Sequence, residues 1–262
     1  MLDLHLPEKT RAALDVLALP DAAYWKNEFW ADSPAFADFA AASPDGLEIL
    51  KVYQLAAEDM AARYAALGIP DAVLHDSLLE FGIWSRDYLA QHGRPGLSEW
   101  QWLGLTLRGR LFRLGRLQFE PSALTEPLGG YPAGTPVIEV HIPAGPPLDT
   151  GAVQASLAAA PGFFQRYFGT QYLLFHCYSW LMSPQLTKIL PPDSRILQFQ
   201  RLFTIAAWDE THRQAEQRVF GSLQDDPAAY PQQTRLQAAL KEFMLTGEKP
   251  GVGHGLRRIE EK

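Results

Sequence analysis

Apolar side chains recur at three- and four-residue steps up to about residue 105, and alternation at steps of two first appears near Leu111. A chain whose period changes in this way must join a helical part to a sheet-bearing part. The longest helical stretch covers residues 47–67, where Ile49, Val52, Ala56, Met60 and Tyr64 share a face and Gly68 stands where the helix should end. A second opens at Pro70 and Asp71, with Leu74, Leu78, Phe81, Trp84 and Tyr88 as its stripe, and closes at His92-Gly93. Shorter helices are predicted over residues 8–19, after Asp21, beyond a break at Pro34, and around Trp100 and Trp102. Such amphipathic helices pack on one another without needing a ligand.

Beyond the switch, residues 111–120 predict one strand, with Phe112, Leu114, Arg116, Gln118 and Glu120 on one face. Val137–Ile142 predicts the cleanest strand, with Ile138, Val140 and Ile142 opposite Glu139 and His141. A helix should start at Asp149 or Thr150 and run to about Tyr167. Residues 171–180 and 195–206 read as strands, with a short helix near Ser183-Pro184 between them. Residues 211–220 and 232–245 read as helices, and the Gly251-Val252-Gly253-His254-Gly255 tail carries too little apolar content to hold itself. The predicted class is α/β of the α+β kind: a helical region, residues 1–105, packed on a mixed sheet with covering helices, residues 106–262.

The 262 residues and a hydrophobic fraction of 47% suffice for a real core. A formal charge of -7 argues against general nucleic-acid binding, which needs a basic footprint. With Cys177 as the only cysteine, neither an internal disulfide nor a four-cysteine metal site can form. No basic-then-apolar leader and no membrane-length apolar stretch is visible, so a cytoplasmic protein without a transmembrane segment is expected.

Chemistry is concentrated in a row of polar groups on otherwise apolar strands: Glu120, Glu139, His141 and His176. Alternation puts Glu139 and His141 on one face, where a buried carboxylate or a neutral imidazole can take a proton from an amine. Read plainly, the same row is a solvated face near a sheet edge. Tyr178 shares the face of His176 and carries a hydroxyl able to protonate a leaving group. Cys177 points the other way and reads as a small buried hydrophobe; Ser179 shares its direction and offers a hydroxyl to a substrate or a nearby backbone group. The tract from Arg108 to Arg116, with Arg113 inside it, and Arg195 further on can meet anionic groups or form ordinary salt bridges. No phosphate loop, dinucleotide loop, HExxH or Gly-x-Ser-x-Gly elbow occurs, and no metal site is expected. His5, His75, His92, His212 and His254 read as surface or cap residues.

Four segments carry a resemblance: residues 110–120, Val140-His141-Ile142-Pro143-Ala144-Gly145, Cys177-Tyr178-Ser179-Trp180-Leu181 and Leu190-Pro191-Pro192-Asp193-Ser194-Arg195-Ile196. They resemble a bacterial family that joins a helical N-acyltransferase N-terminal domain to a GNAT-like C-terminal domain. The resemblance implies acyl transfer from acetyl-CoA or a longer acyl-CoA, as co-substrate rather than tightly bound cofactor, to a small-molecule or peptide amine. In that scheme a mixed sheet splays to seat the pantetheine arm and a helix start holds the pyrophosphate. Glu120, Glu139 or His141 would be the base and Tyr178 the acid, with Arg113, Arg116, Ser179 and Arg195 as donor-binding candidates. The usual [Gln/Arg]-x-x-Gly-x-[Gly/Ala] loop is missing, and Arg113-Leu114-Gly115 matches only a piece of it. Two other readings stay open: a noncatalytic binding or scaffold protein with a degenerate cleft, and an accessory factor docking through its arginine tract. A homodimer through a strand edge or the N-terminal helices is compatible with the sequence.

Overall fold

The computed structural model describes residues 2–260 and divides them into two compact units, the first ending at Leu114 and the second beginning at Gly115. The first unit contains α1 (Glu8–Val16), α2 (Ala22–Trp30), α3 (Pro34–Ala42), α4 (Leu47–Leu67), α5 (Asp71–His92), α6 (Trp100–Leu107) and the short β1 (Phe112–Leu114). The predicted stripe of α4 is buried as a set, and Gly68 ends the helix in the left-handed conformation. Aromatic rings knit the centre of this unit: Tyr53 lies 5.0 Å from Phe29 and 6.0 Å from Phe81, both edge-on. The buried Tyr53 hydroxyl donates to the Trp100 carbonyl at 2.8 Å, so its burial leaves no unmet donor. Pro34 does divide the second predicted helix, because Ser33 caps a new one by accepting from Phe36 N.

The second unit contains β2 (Leu117–Ala123), β3 (Pro136–His141), α7 (Thr150–Phe168), β4 (Leu174–Ser179), α8 (Leu186–Ile189), α9 (Arg195–Gln200), β5 (Thr204–Asp209), α10 (Gln214–Phe220), α11 (Arg235–Leu245) and β6 (Val252–Arg258). Its strands lie in the order β2-β3-β4-β6-β5. β3 and β4 run parallel, linked by the crossover helix α7; the other neighbours are antiparallel. The sheet is therefore mixed and flanked in sequence by helices, as the change of period predicts.

α7 begins where Asp149 accepts from Ala152 N at 2.9 Å. Asp149→Ala is expected to cost about 1 kcal/mol of stability, the usual value of a lost N-cap, measured by urea unfolding.

Three expectations fail. The single strand over residues 111–120 is two strands, because Gly115, at φ 72°, and Arg116 form a two-residue turn between β1 and β2. The alternation of one face therefore restarts at Leu117. Residues 195–206 are not one strand: Ser194 caps α9 by accepting from Leu197 N, and only Thr204–Asp209 is extended. Short apolar runs of this kind fit either period. The largest failure is the glycine-rich tail, which is β6, an interior strand hydrogen-bonded to β4 on one side and β5 on the other. Its glycines are what let it in. A β-carbon on Gly253 would sit 2.1 Å from the Met182 carbonyl oxygen, and one on Gly255 would sit 2.5 Å from the Met182 sulfur. Close backbone approach at the glycines makes room for this strand, while pairing on both sides and the buried Val252 and Leu256 hold it in place.

Candidate active site

Strand register brings the site together. Glu139 of β3 lies opposite His176 of β4, and Tyr178 of β4 lies opposite His254 of β6. Alternation then sends Glu139, His176, Tyr178 and His254 to one face of the sheet. His176 Nδ1 is 2.6 Å from Glu139 Oε1, and His176 Nε2 is 3.0 Å from His254 Nδ1. The two imidazoles are nearly parallel, at 13°. A carboxylate only accepts, so the hydrogen between Glu139 and His176 belongs to Nδ1. In the tautomer with a lone pair at His176 Nε2, that nitrogen accepts from His254 Nδ1–H. This assigns the lone pair of His254 to Nε2, the nitrogen at the far end of the chain.

His176 is 7% exposed, so both of its nitrogens are spent inside the protein. His254 is more open, and its imidazole is held below the ordinary histidine range by burial and by the neighbouring His176. It is thus the neutral end of the relay near pH 7. Tyr178 packs at 4.5 Å between ring centres against His254 and at 5.9 Å against His212. Its phenol is pushed up by burial and by Asp209, which keeps it protonated. A cavity of about 90 Å³ opens beside the relay, lined by Glu139, His176 and His254, by Ser122 and Ala123 at the end of β2, and by Leu124, Thr125, Glu126 and Leu128 after it.

The other predicted residues fall into two groups. Glu120 and His141 do share the site's face: Glu120 pairs in register with Glu139, and His141 Nε2 lies 3.6 Å from Glu120 Oε2. The face therefore carries two Glu–His pairs side by side. Ser179 points to the opposite face, where its hydroxyl accepts from Leu181 N and caps the short turn over Trp180–Met182. Cys177 also lies on that face, fully buried, with its thiol pushed up by burial and by Glu139, which suppresses the thiolate. Arg116 donates to the Pro143 carbonyl at 3.0 Å and to the Pro147 carbonyl at 3.4 Å, bracing the segment between β3 and α7. Arg113 is buried in β1, its backbone N–H on the Ser77 hydroxyl at 2.9 Å, and Arg195 is exposed in the first turn of α9. Arg108 is engaged with the Phe29 carbonyl at 2.8 Å and Asp32 at 2.7 Å.

His254 is the member of this row that the sequence reading passed over, and its assignment to the surface is corrected by its partly buried place on β6. A signal did exist: Val252, His254 and Leu256 alternate with Gly253 and Gly255. Among the described residues, no group of three or more His, Cys, Asp or Glu is arranged to hold a metal ion. No helix among them is long and apolar enough to cross a membrane.

Two family models match the chain: the N-acyltransferase N-terminal domain over residues 1–109 and the GNAT-like C-terminal domain over residues 111–257. No curated protein matches it. Among solved structures, an acyltransferase in complex with decanoyl-CoA and teicoplanin is 25% identical with a TM-score of 0.81, over 98% of this chain and 85% of the other. Acyltransferase complexes with decanoyl-CoA alone, and with CoA and 10C-teicoplanin, are 24% identical with TM-scores of 0.82 over the same shares. The fold is common to all of them.

Proposed function

Because this chain belongs to the family that joins an N-acyltransferase N-terminal domain to a GNAT-like C-terminal domain, we propose that it is an N-acyltransferase moving an acyl group from acyl-CoA to an amine. The observation that carries the reading is the hydrogen-bonded row Glu139, His176, His254 ending at a cavity. The relatives solved with decanoyl-CoA support a medium-chain acyl-CoA as donor.

His254 Nε2 takes the proton of the acceptor nitrogen as that nitrogen bonds to the thioester carbonyl and becomes more acidic. The imidazolium so formed keeps its Nδ1–H on His176, and Glu139 faces the other side of His176, so the new charge is met by a fixed carboxylate. The C–S bond breaks, and the Tyr178 hydroxyl supplies the proton for the departing thiolate. The sum is acyl-CoA plus amine giving amide plus CoA thiol. Glu120 and His141 flank this route as a second pair, and His141 stands at the end of β3 where a pantetheine arm would run.

The parallel pair β3–β4 registers at two positions only, Ile138 with Phe175 and Glu139 with His176, against six in each antiparallel pair beside it. Weak pairing there supports an opening between the two strands for the pantetheine. The pyrophosphate would meet the segment braced by Arg116 in place of the missing glycine loop. A noncatalytic cleft would be filled by aromatic side chains or turn its polar row to bulk water. Glu139 and His176 instead have side chains only 17% and 9% exposed beside a cavity, which favours chemistry. An acyl-CoA donor is an intracellular metabolite, consistent with action in the cytoplasm.

Calorimetric titration of the purified protein with acetyl-CoA and decanoyl-CoA tests the donor. Saturable binding of decanoyl-CoA in the micromolar range, about −8 kcal/mol, is expected; no heat with either compound would sink the donor assignment.

A further inference from the structure

The pocket beside the relay has a charge pattern that the transfer chemistry does not require. Its lining holds two carboxylates, Glu126 and Glu139, two histidines and, among the described residues, no lysine or arginine. Glu139 is committed to His176. Glu126, on the segment after β2, is exposed, and Asp209 at the end of β5 is partly buried; both act electrostatically on His254 from separate elements. The nitrogen that gives up its proton to His254 therefore enters a negative field with no cation to offset it.

Resting on the reading of His254 as the proton acceptor, we infer that Glu126 selects the acceptor: a cationic primary amine with no carboxylate beside its nitrogen, and not an α-amino acid. Two physical points carry this. An amine arrives in water mostly as its ammonium form, and a carboxylate at the pocket mouth raises the local concentration of that cation; the ammonium releases one proton to solvent, and the free amine then attacks while His254 takes the second. An α-amino acid carries its own carboxylate two bonds from the nitrogen, which would be pressed toward Glu126 and Glu139 with no arginine or lysine to receive it. Like-charge juxtaposition of this sort is a standard way to exclude a wrong partner. The cavity borders His176 and His254 directly, so selection acts on what immediately surrounds the nitrogen.

Tyramine and tyrosine differ only by that carboxylate and serve as the probe pair. Thiol release from decanoyl-CoA is followed with each, and in parallel the His254 ring resonances are followed by NMR as each amine is added. Tyramine is expected to be favoured by about tenfold or more in kcat/KM or in apparent affinity. Glu126→Gln is expected to shrink that preference several-fold, raising KM for tyramine more than it lowers kcat. Equal responses to tyrosine and tyramine, a preference that survives Glu126→Gln intact, or a His254 signal that answers to neither amine would each overturn the inference. Thiol release that occurs equally with both probes would leave acyl transfer standing and remove the selectivity. A His254 signal that answers to tyramine alone, without thiol release from any acyl-CoA, would do the reverse.

Discussion

His254→Asn is expected to lower kcat for acyl transfer by about 10²–10⁴, the usual contribution of a positioned general base, while leaving decanoyl-CoA binding within a few-fold. Asparagine retains an amide N–H that can donate to His176 Nε2, so the relay stays paired and the strand stays in register. What it removes is the lone pair at the far nitrogen. The pH profile gives an independent reading. The base works as neutral imidazole, so kcat/KM referred to the free-amine concentration should be full at neutral pH and fall as pH drops through the pKa of His254. Burial and His176 hold that pKa below 6.5, so the acid limb should lie on the acid side of 6.5. Glu126, Glu139 and Asp209 pull the same pKa upward. Glu139→Gln removes one of those charges and should move the limb to still lower pH, in addition to slowing turnover. A His254→Asn protein with kcat within twofold of wild type, and an unchanged acid limb, would show that the proton leaves by another route.

How much of this was legible beforehand depended on whether neighbours or distant partners decide the structure. The α4 helix was readable end to end because one stripe, Ile49 to Tyr64, runs between two glycines at its ends. Glu139 and His141 were readable as sharing a face because alternation is a local rule. That Glu139 meets His176 follows from the register of two strands separated in sequence by α7, which no local pattern encodes. Tyr178 was placed correctly beside His176, and its contact with His254 waited on β6. Ser179 was read with two alternatives, and its hydroxyl does meet a nearby backbone group, Leu181 N. The misread segments share a cause. At Gly115 a turn fits inside an apolar run without changing its composition. At Arg195–Gln200 a capped helical turn and a strand have the same apolar content. In the tail, the glycines leave the space that Met182 occupies, and only Val252 and Leu256 add buried apolar surface, a pattern too sparse to read as a strand by itself.

That last point sets the second large prediction. Gly253→Ala should destabilise the protein by about 2–3 kcal/mol or more, lowering Tm by roughly 5 °C or more. The added carbon would lie 2.1 Å from Met182 O, 2.5 Å from Met182 C and 3.0 Å from Met182 Cβ, so the obstruction is mainly backbone and cannot be relieved by a rotamer change. Either β6 or the turn over Trp180–Met182 must move. Moving β6 strains its pairing with Ser179 on one side and Trp208 on the other. His254 is the next residue, and its 3.0 Å contact with His176 depends on the same register. A displacement of about 1 Å at a reacting group can cost about 10²-fold in rate, so the surviving folded fraction should also turn over slowly. Gly162→Ala is the matched control. It lies in α7 with nothing within 4 Å of the added carbon and no left-handed backbone. There alanine should be neutral or stabilising by about 0.5–1 kcal/mol, through helix propensity alone. Thermal unfolding of the two variants separates a steric requirement at one glycine from the general effect of adding a methyl group. If Gly253→Ala melts within a degree of wild type, close approach to Met182 is not what seats this strand, and the placement of His254 loses its physical basis.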